Sequence, residues 1–462
     1  MDATLVAGWE ALCQHLSPAF TRPTFVTFVH MAAGWVLCRS RPTVTNLICS
    51  IGASLLGHAA KHWTTYERFF YRAAWSLDAV SRLLLVQVVA PLIRSYGVER
   101  VIDLAIDDTT CGRCGKHVAF AGYFKDASAG NALKTVVHWA HNWVIGCVTM
   151  RPKRWPYWVL GLPVWFGLYR KPGACDKTHP FRTRQRIAAD MIRQTRQALP
   201  DWTIRVAADG QYATTQVVEA TGPCGTNLVS RLRRDAALYA LPPQRRRPQR
   251  GRKPKKGRRL ATPRQMAARR RTGWRTVEVW AYGQAVKRRV LSVVCLWYHV
   301  SRDRPIKMLI VRDPQGKQDD DYLFCTDSTA DDVESEGDRV GSLNERFAAR
   351  WPIEEVIRDA KQTGGFEQVQ GWCPRTVERQ APLAMIVQTL VKAWYLRHGV
   401  HAPAAQPHGT DWSQSKTHPS YLDMLATLRG VLWRHRINIK SYLTTRVRGL
   451  WKTLQFTLCA AA

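Results

Sequence analysis

The stretch Val101-Ile102-Asp103-Leu104-Ala105-Ile106-Asp107-Asp108-Thr109-Thr110 marks a change in the character of the chain. Upstream of it, apolar residues recur at helical spacing. Within it, a short β-branched run predicts a strand over Val101–Ile106 that ends on two carboxylates and two threonines. Carboxylates at the end of a strand stand on a rigid element and project into a crevice, where a metal site needs them. The same residues suit a solvated turn, because Asp and Thr are good turn formers. If the strand continues, Asp107 and Asp108 point to opposite faces, so only one of them can join a given site.

Reading outward, Val118–Tyr123, Asn142–Val148 and Thr203–Ala207 are further strand-like runs bounded by turn residues. A helix is expected over His179–Leu199, with Ile187, Met191 and Ile192 on one side. Three strands, a helix and another strand make an α/β unit. Residues 1–95 read as a helical domain, with helical spacing in Leu5–Leu16 and Trp75–Val89 and breaks at Pro18, Pro23 and Pro42. In that domain Thr43–Gly52 precedes the aromatic and basic run Lys61–Arg72. A short helix, a turn and a basic helix suit a DNA-binding arm, and equally an ordinary helical bundle.

Toward the C-terminus, residues 245–275 form a basic tract with few apolar positions, a composition that folds only against a partner. Thr276–Val300 and Lys307–Val311 read as β-hairpin material and Asp320–Thr326 as a strand. One long helix is expected over Ser342–Thr363 and another over Val377–His398. A polar linker, Ala402–Pro419, leads to a basic helical segment. The segments are therefore 1–95, 96–224, 225–320, 321–400 and 401–462.

Composition bounds the partners. The 462 residues carry 68 Lys and Arg against 35 Asp and Glu, a net charge of +33, with 46% apolar residues. Such an excess draws in polyanions and speeds their capture, and DNA is the obvious one. A peripheral membrane role and a generally basic proteome remain open on charge alone. No stretch approaches the roughly 20 apolar residues of a membrane span; the longest candidate, Val159–Tyr169, contains Pro163. Asp2 and Glu10 stand where a signal peptide would be basic and apolar, so a cytoplasmic, nucleoid-associated protein is expected. The 12 cysteines are scattered, which suits reduced thiols.

Two further motifs carry acid groups. Arg205-Val206-Ala207-Ala208-Asp209-Gly210-Gln211-Tyr212 again sets an Asp directly after a strand. In Arg350-Trp351-Pro352-Ile353-Glu354-Glu355-Val356-Ile357-Arg358-Asp359-Ala360-Lys361, steps of three and four place Phe347, Arg350, Glu354, Arg358 and Lys361 on one helical face. That stripe reads as a salt-bridged surface helix, or as a metal ligand among groups that grip phosphate.

At this third motif the chain resembles the transposases of bacterial insertion sequences that use a DDE triad, in the branch with a Tyr-Arg-Glu-Lys (YREK) signature. Arg350, Glu354 and Lys361 match at the signature spacings, with Phe347 at the Tyr position. Asp107-Asp108-Thr109 resembles the first-strand Asp-x-Thr motif, and Asp209-Gly210-Gln211-Tyr212 the second, Asp-x-x-Tyr. Cys325-Thr326-Asp327 resembles the strand end before the catalytic helix. The resemblance runs from about residue 95 to 430. It implies an α/β, RNase H-like (retroviral integrase-like) core with helical N- and C-terminal additions and a β-rich insertion over 225–320, which contains Trp274, Trp280 and Trp297.

The resemblance also implies that Asp107, Asp209 and Glu354 are the catalytic and metal-binding residues, with Asp107 preferred over Asp108. Phe347, Arg350, Arg358 and Lys361 would contact DNA; Phe347 lacks the signature hydroxyl and would stack on a base instead. Oxygen-only ligands favour Mg²⁺ or Mn²⁺, with two ions expected. The implied partners are the double-stranded DNA of element ends and target, handled by a homodimer assembled on DNA. The alternatives are an RNase H-like nuclease and a domesticated DNA-binding protein that no longer cuts. Two other groups carry less weight. Cys111, Cys114, His117, His138 and His141 lack usual zinc spacing, and Asp331–Glu334 reads as an acidic helix start, with Asp327 as a cap or a support to the site.

Overall fold

The computed structural model describes residues 2–52, 54–97, 100–126, 135–222, 225–243, 253–269, 271–281, 283–328, 343–402 and 417–438. Asp331–Glu334, most of the 402–419 linker, the first part of the basic tract and the end of the C-terminal segment lie outside them.

A single mixed sheet organises the chain. Its strands are β1 (Val101–Gly112), β2 (Gly122–Asp126), β3 (Val136–Met150), β4 (Leu160–Tyr169), β5 (Thr203–Ala208), β6 (Thr226–Arg231), β7 (Trp274–Ala281), β8 (Gln284–Cys295), β9 (Ile306–Arg312) and β10 (Asp321–Cys325). They lie in the order β2-β3-β1-β5-β6-β10-β9-β8-β7. β4 shares the outer edge of β3 with β2, β2 along Val136–Ala140 and β4 along Asn142–Met150. β1, β5 and β6 run parallel, and the remaining pairings are antiparallel. The fold is therefore α/β with a large mixed sheet. The expected β-rich insertion takes a different form: β6 to β10 continue the central sheet beside β5 rather than closing on themselves.

The N-terminal helices are α1 (Asp2–Gln14), α2 (Arg22–Leu37), α3 (Val44–Ile51), α4 (Trp63–Tyr71), α5 (Leu77–Leu83) and α6 (Ala90–Ser95), the last two joined by a π-helical segment, Leu84–Val89. Thr43 caps α3 by accepting from the Asn46 N–H, as a helix start with free N–H groups requires. α3 and α4, the pair that would form a DNA-binding arm, bury Leu47, Ile51, Tyr66, Phe69 and Phe70 against the rest of the helical layer.

Beyond β3 and β4 come α7 (Arg184–Ala198), α8 (Thr215–Ala220), α9 (Pro263–Arg269), α10 (Tyr298–Ser301), α11 (Pro352–Gln362), α12 (Pro374–Arg397) and α13 (Tyr421–Asn438). Because side chains alternate along a strand, β1 presents Asp108 to α7, where Arg184 meets it, and Asp107 to the turn that leads into α11, where Arg350 meets it. The sheet is thus covered on both faces. α12 is almost wholly buried and ties layers together: Thr389 donates to the Pro163 carbonyl, Lys392 to that of Gly161, and Trp394 Nε1 to that of Leu5. Gly161 lets α11 lie close on β4, since a Cβ there would stand 2.7 Å from Val356 Cγ2 and 3.2 Å from the Pro352 carbonyl oxygen. No helix among the described residues is long and apolar enough to cross a membrane.

The helix expected over Ser342–Thr363 is interrupted. Residues 343–348 are helical, 349–351 form a turn, and α11 starts at Pro352. Pro352 has no N–H for the preceding turn and suits the first position of a new helix. Ile353 and Glu354 instead donate to carbonyls three residues back, at Arg350 and Trp351.

Candidate active site

Two strands bring the first two acids together. In the parallel ladder of β1 and β5 the last pair is Ile106 and Ala208. Asp107 and Asp209 are the next residues on each strand, side by side at its C-terminal end. This is the crevice where open α/β sheets bind ligands. Asp209 follows the last residue of β5 and caps the turn Gly210–Tyr212, and Ser230 Oγ of β6 donates to its carbonyl oxygen at 3.0 Å.

The third acid comes from the covering helix. Arg350, in the turn before α11, donates from Nη1 to Asp107 Oδ2 at 2.5 Å and from Nη2 to Glu354 Oε1 at 3.0 Å. One guanidinium thus links the strand-end Asp to the helical Glu. Arg350 is 13% exposed and Asp107 19%, whereas Glu354 at 38% opens toward solvent. Burial pushes the Asp107 carboxyl up to about 6, the Arg350 charge opposes the rise, and the nearby Asp108 and Asp209 add to it. A desolvated carboxyl with acidic neighbours is a group whose pKa is set by a site rather than by the fold alone.

Asp108 belongs to the other face and is held there. It accepts from Asn142 Nδ2 at 3.0 Å, Arg184 Nη1 at 2.9 Å, Tyr212 Oη at 3.0 Å and Gln211 Nε2. Gln211 and Tyr212 lie in the turn that follows Asp209, so this network fastens that turn to the strand that carries Asp107. Burial, then the charges of Asp108 and Asp107, raise the Tyr212 phenol well above its ordinary value, which keeps it a donor.

The remaining residues of the stripe diverge. Lys361 donates to the Thr110 carbonyl at 2.6 Å and pairs with Glu367 at 3.5 Å, closing the far end of β1. Arg358 is 59% exposed and lies 3.6 Å from Asp359. Phe347 is 9% exposed, packed with Leu343, Val279 and Leu323, and lies beneath the guanidinium groups of Arg231 and Arg350. The turn at 349–351 lies between Phe347 and Glu354, and the ring is covered by these neighbours.

Oxygen donors alone make up the acidic set, a chemistry suited to a hard divalent cation. Among the described residues no three His, Cys, Asp or Glu side chains already surround one point. Arg350 supplies the positive charge between Asp107 and Glu354. His141 serves the fold: Arg113 Nε donates to its Nδ1 at 2.8 Å, and its Nε2 lies 2.8 Å from the Ala119 carbonyl oxygen.

Residues 15–289, more than half of the chain, match the model of a family described as DDE superfamily endonuclease. The chain belongs to that family. The matched span of this DDE endonuclease contains Asp107 and Asp209 and stops before Glu354. A solved piggyBac transposase synaptic complex with hairpin DNA is similar at a TM-score of 0.39 and 10% identity, over 94% of this chain and 79% of that chain. No curated protein matches the sequence. Arg184 and Asn142 are the endonuclease residues that carry no recognisable signal as a set, because they meet Asp108 from positions 76 and 34 residues away.

Proposed function

We propose that this DDE endonuclease is a DNA transposase of the bacterial insertion-sequence type, in the YREK branch and with an RNase H-like core. It cleaves the ends of its element and joins them to target DNA. What supports this reading is that Asp107 and Asp209 follow the last pair of adjacent parallel strands, and that Arg350 bridges Asp107 to Glu354 of the covering helix. Asp107, Asp209 and Glu354 would hold two Mg²⁺ or Mn²⁺ ions. When bound, such ions polarise a phosphodiester and make a bound water or a DNA 3′-hydroxyl a stronger nucleophile.

The chain's own residues supply the rest. The network around Asp108 fixes the strand ends that carry Asp107 and Asp209, so the acids are positioned before DNA arrives. Arg350 would exchange its two carboxylate partners for a phosphate, which its fork suits, and Arg358 and Lys361 would extend positive charge along α11. The net charge of +33 supports capture of double-stranded DNA. Paired element ends call for a homodimer on DNA in the cytoplasmic nucleoid.

The test is Mg²⁺-dependent nicking of a duplex carrying the sequences that flank the gene, with wild type and Asp209→Asn side by side. Cutting by wild type alone supports the triad chemistry. Salt-sensitive binding with no cutting by either protein points instead to a domesticated DNA-binding protein.

A further inference from the structure

A second cationic site lies at the far end of the catalytic helix. A cavity of about 430 Å³ is bounded by the loop between α2 and α3, the C-terminal end of α11 and one side of α13. Arg39, Arg41, Lys361 and Arg429 line it, with Gln362 and Gln368 between them, and no Asp or Glu is among its described lining residues. Such a lining selects an anion with several acceptor oxygens.

The loop is built rather than merely exposed. Buried Arg429 donates from Nε to the Val36 carbonyl at 2.8 Å and from Nη2 to that of Cys38 at 3.2 Å. Trp35 Nε1 donates to the Gly364 carbonyl at 2.7 Å, and Asn46 Nδ2 to that of Arg41 at 2.8 Å. Gly365, at φ +73°, leaves room for Pro42, whose Cγ would lie 2.0 Å from a Cβ there. These cross-links fix the loop backbone against the end of α11, while the side chains of Arg39, Ser40 and Arg41 stay exposed.

A helix C-terminus ordinarily repels anions. Here part of that end is already taken up: the Asp359 carbonyl accepts from Thr363 and Gly364, that of Ala360 from Phe366, and that of Gly364, just past the helix, from Trp35. Lys361 shares its charge with Glu367, while Arg39 and Arg41 reach the cavity from the exposed loop.

Glu354 and Lys361 are seven residues apart on α11, about 10 Å along the axis. That length is about three steps of a DNA strand at ~3.4 Å each. We propose that this cavity binds the phosphate backbone of the DNA duplex being cut, about three steps from the reacting bond, with Arg39 and Arg41 as its phosphate ligands. The inference rests on the transposase reading of the neighbouring site and adds a positioning contact that keeps the strand in register with Glu354.

The test uses the full chain in EDTA, so that no cleavage intervenes. It follows the salt dependence of binding to a fluorescent duplex carrying the gene's flanking sequence. Losing two phosphate contacts makes the slope of log affinity against log salt shallower by about 1.8, so between about 50 and 200 mM salt the wild type should weaken about 12-fold more than R39Q/R41Q. R39K/R41K should keep the wild-type slope, and the distant R100Q should too. In the wild type, DNA should protect Arg39 and Arg41, but not Arg100, from an arginine-selective dicarbonyl reagent read by mass spectrometry.

A wild-type slope in R39Q/R41Q, a loss of slope in R100Q equal to that of the double variant, or unprotected Arg39 and Arg41 at saturating DNA would each overturn the proposal and leave the catalytic reading standing. Wild-type protein with no salt-sensitive DNA binding would overturn both.

Discussion

Asp107→Asn should make the protein more stable while removing its chemistry. Burial lifts the Asp107 carboxyl from an ordinary 3.8 to about 6, against the opposing charge of Arg350. At about 1.4 kcal/mol per tenfold, that difference means the ionised side chain costs the folded state about 3 kcal/mol at neutral pH. Asparagine keeps the shape and removes the charge, so the variant should recover much of this cost, a rise of about 3 °C in midpoint for a chain of this size. The sign follows from proton counts: between 3.8 and 6 the folded protein binds a proton that the unfolded chain does not, so stability falls as pH rises through that window. The variant's advantage should therefore be full above about pH 6 and shrink toward pH 4. Thermal unfolding in EDTA at several pH values measures it.

Asp108→Asn should do the opposite. Its 9%-exposed carboxylate accepts from four side chains, and an amide would turn a donor toward them. The expected loss is about 2–4 kcal/mol, with the ionic share reduced because Arg184 is 39% exposed. If Asp108→Asn were the stabilised variant, or if the Asp107→Asn advantage did not change with pH, the roles given to the two neighbouring acids would be refuted.

Other outcomes follow from the same contacts. Glu354→Gln should abolish cleavage and leave the affinity for DNA within a few-fold of wild type; comparable cutting by the mutant would remove Glu354 from the triad. Tyr212→Phe should cost about 1–2 kcal/mol by leaving Asp108 one donor short, and an unchanged midpoint in thermal unfolding would show that Gln211 and Arg184 suffice. Gly161→Ala should cost about 1–3 kcal/mol by pressing on Val356, and Val356→Ala in the same chain should recover part of it. Absence of that recovery in a double-mutant cycle would show that the close approach of α11 to β4 is not what Gly161 provides.

Local pattern revealed the elements better than their partners. The alternation in β1 separates Asp107 from Asp108 before any contact is known, because period-two geometry is intrinsic to a strand. The breaks at Thr43 and Pro352 are also written locally, as a cap residue and a missing N–H, although reading 342–363 as one helix overlooked the second. β4 was legible only as an apolar run, since a strand buried on both faces loses its alternation. That β7 to β10 extend the central sheet depends on β10 meeting β6 almost a hundred residues earlier, and nothing near either strand encodes that pairing. The carboxylates are legible from their order along the chain, and Gln211 and Tyr212 stand in the second motif, but that they and Arg184 meet at Asp108 is set only once the sheet has formed.

The burial of α12 has a consequence for the order in which the molecule can be made. Trp394 donates to the Leu5 carbonyl, and α1 and α2 both pack on α12 and α13. Helices α1 and α2 therefore have no complete core until residues 374–438 are in place. Such long-range closure is slow, and it ties the whole molecule into one cooperative unit. A nascent chain that already carries Asp107 and Asp209 still lacks both Glu354 and the helix that seals the layer beneath it.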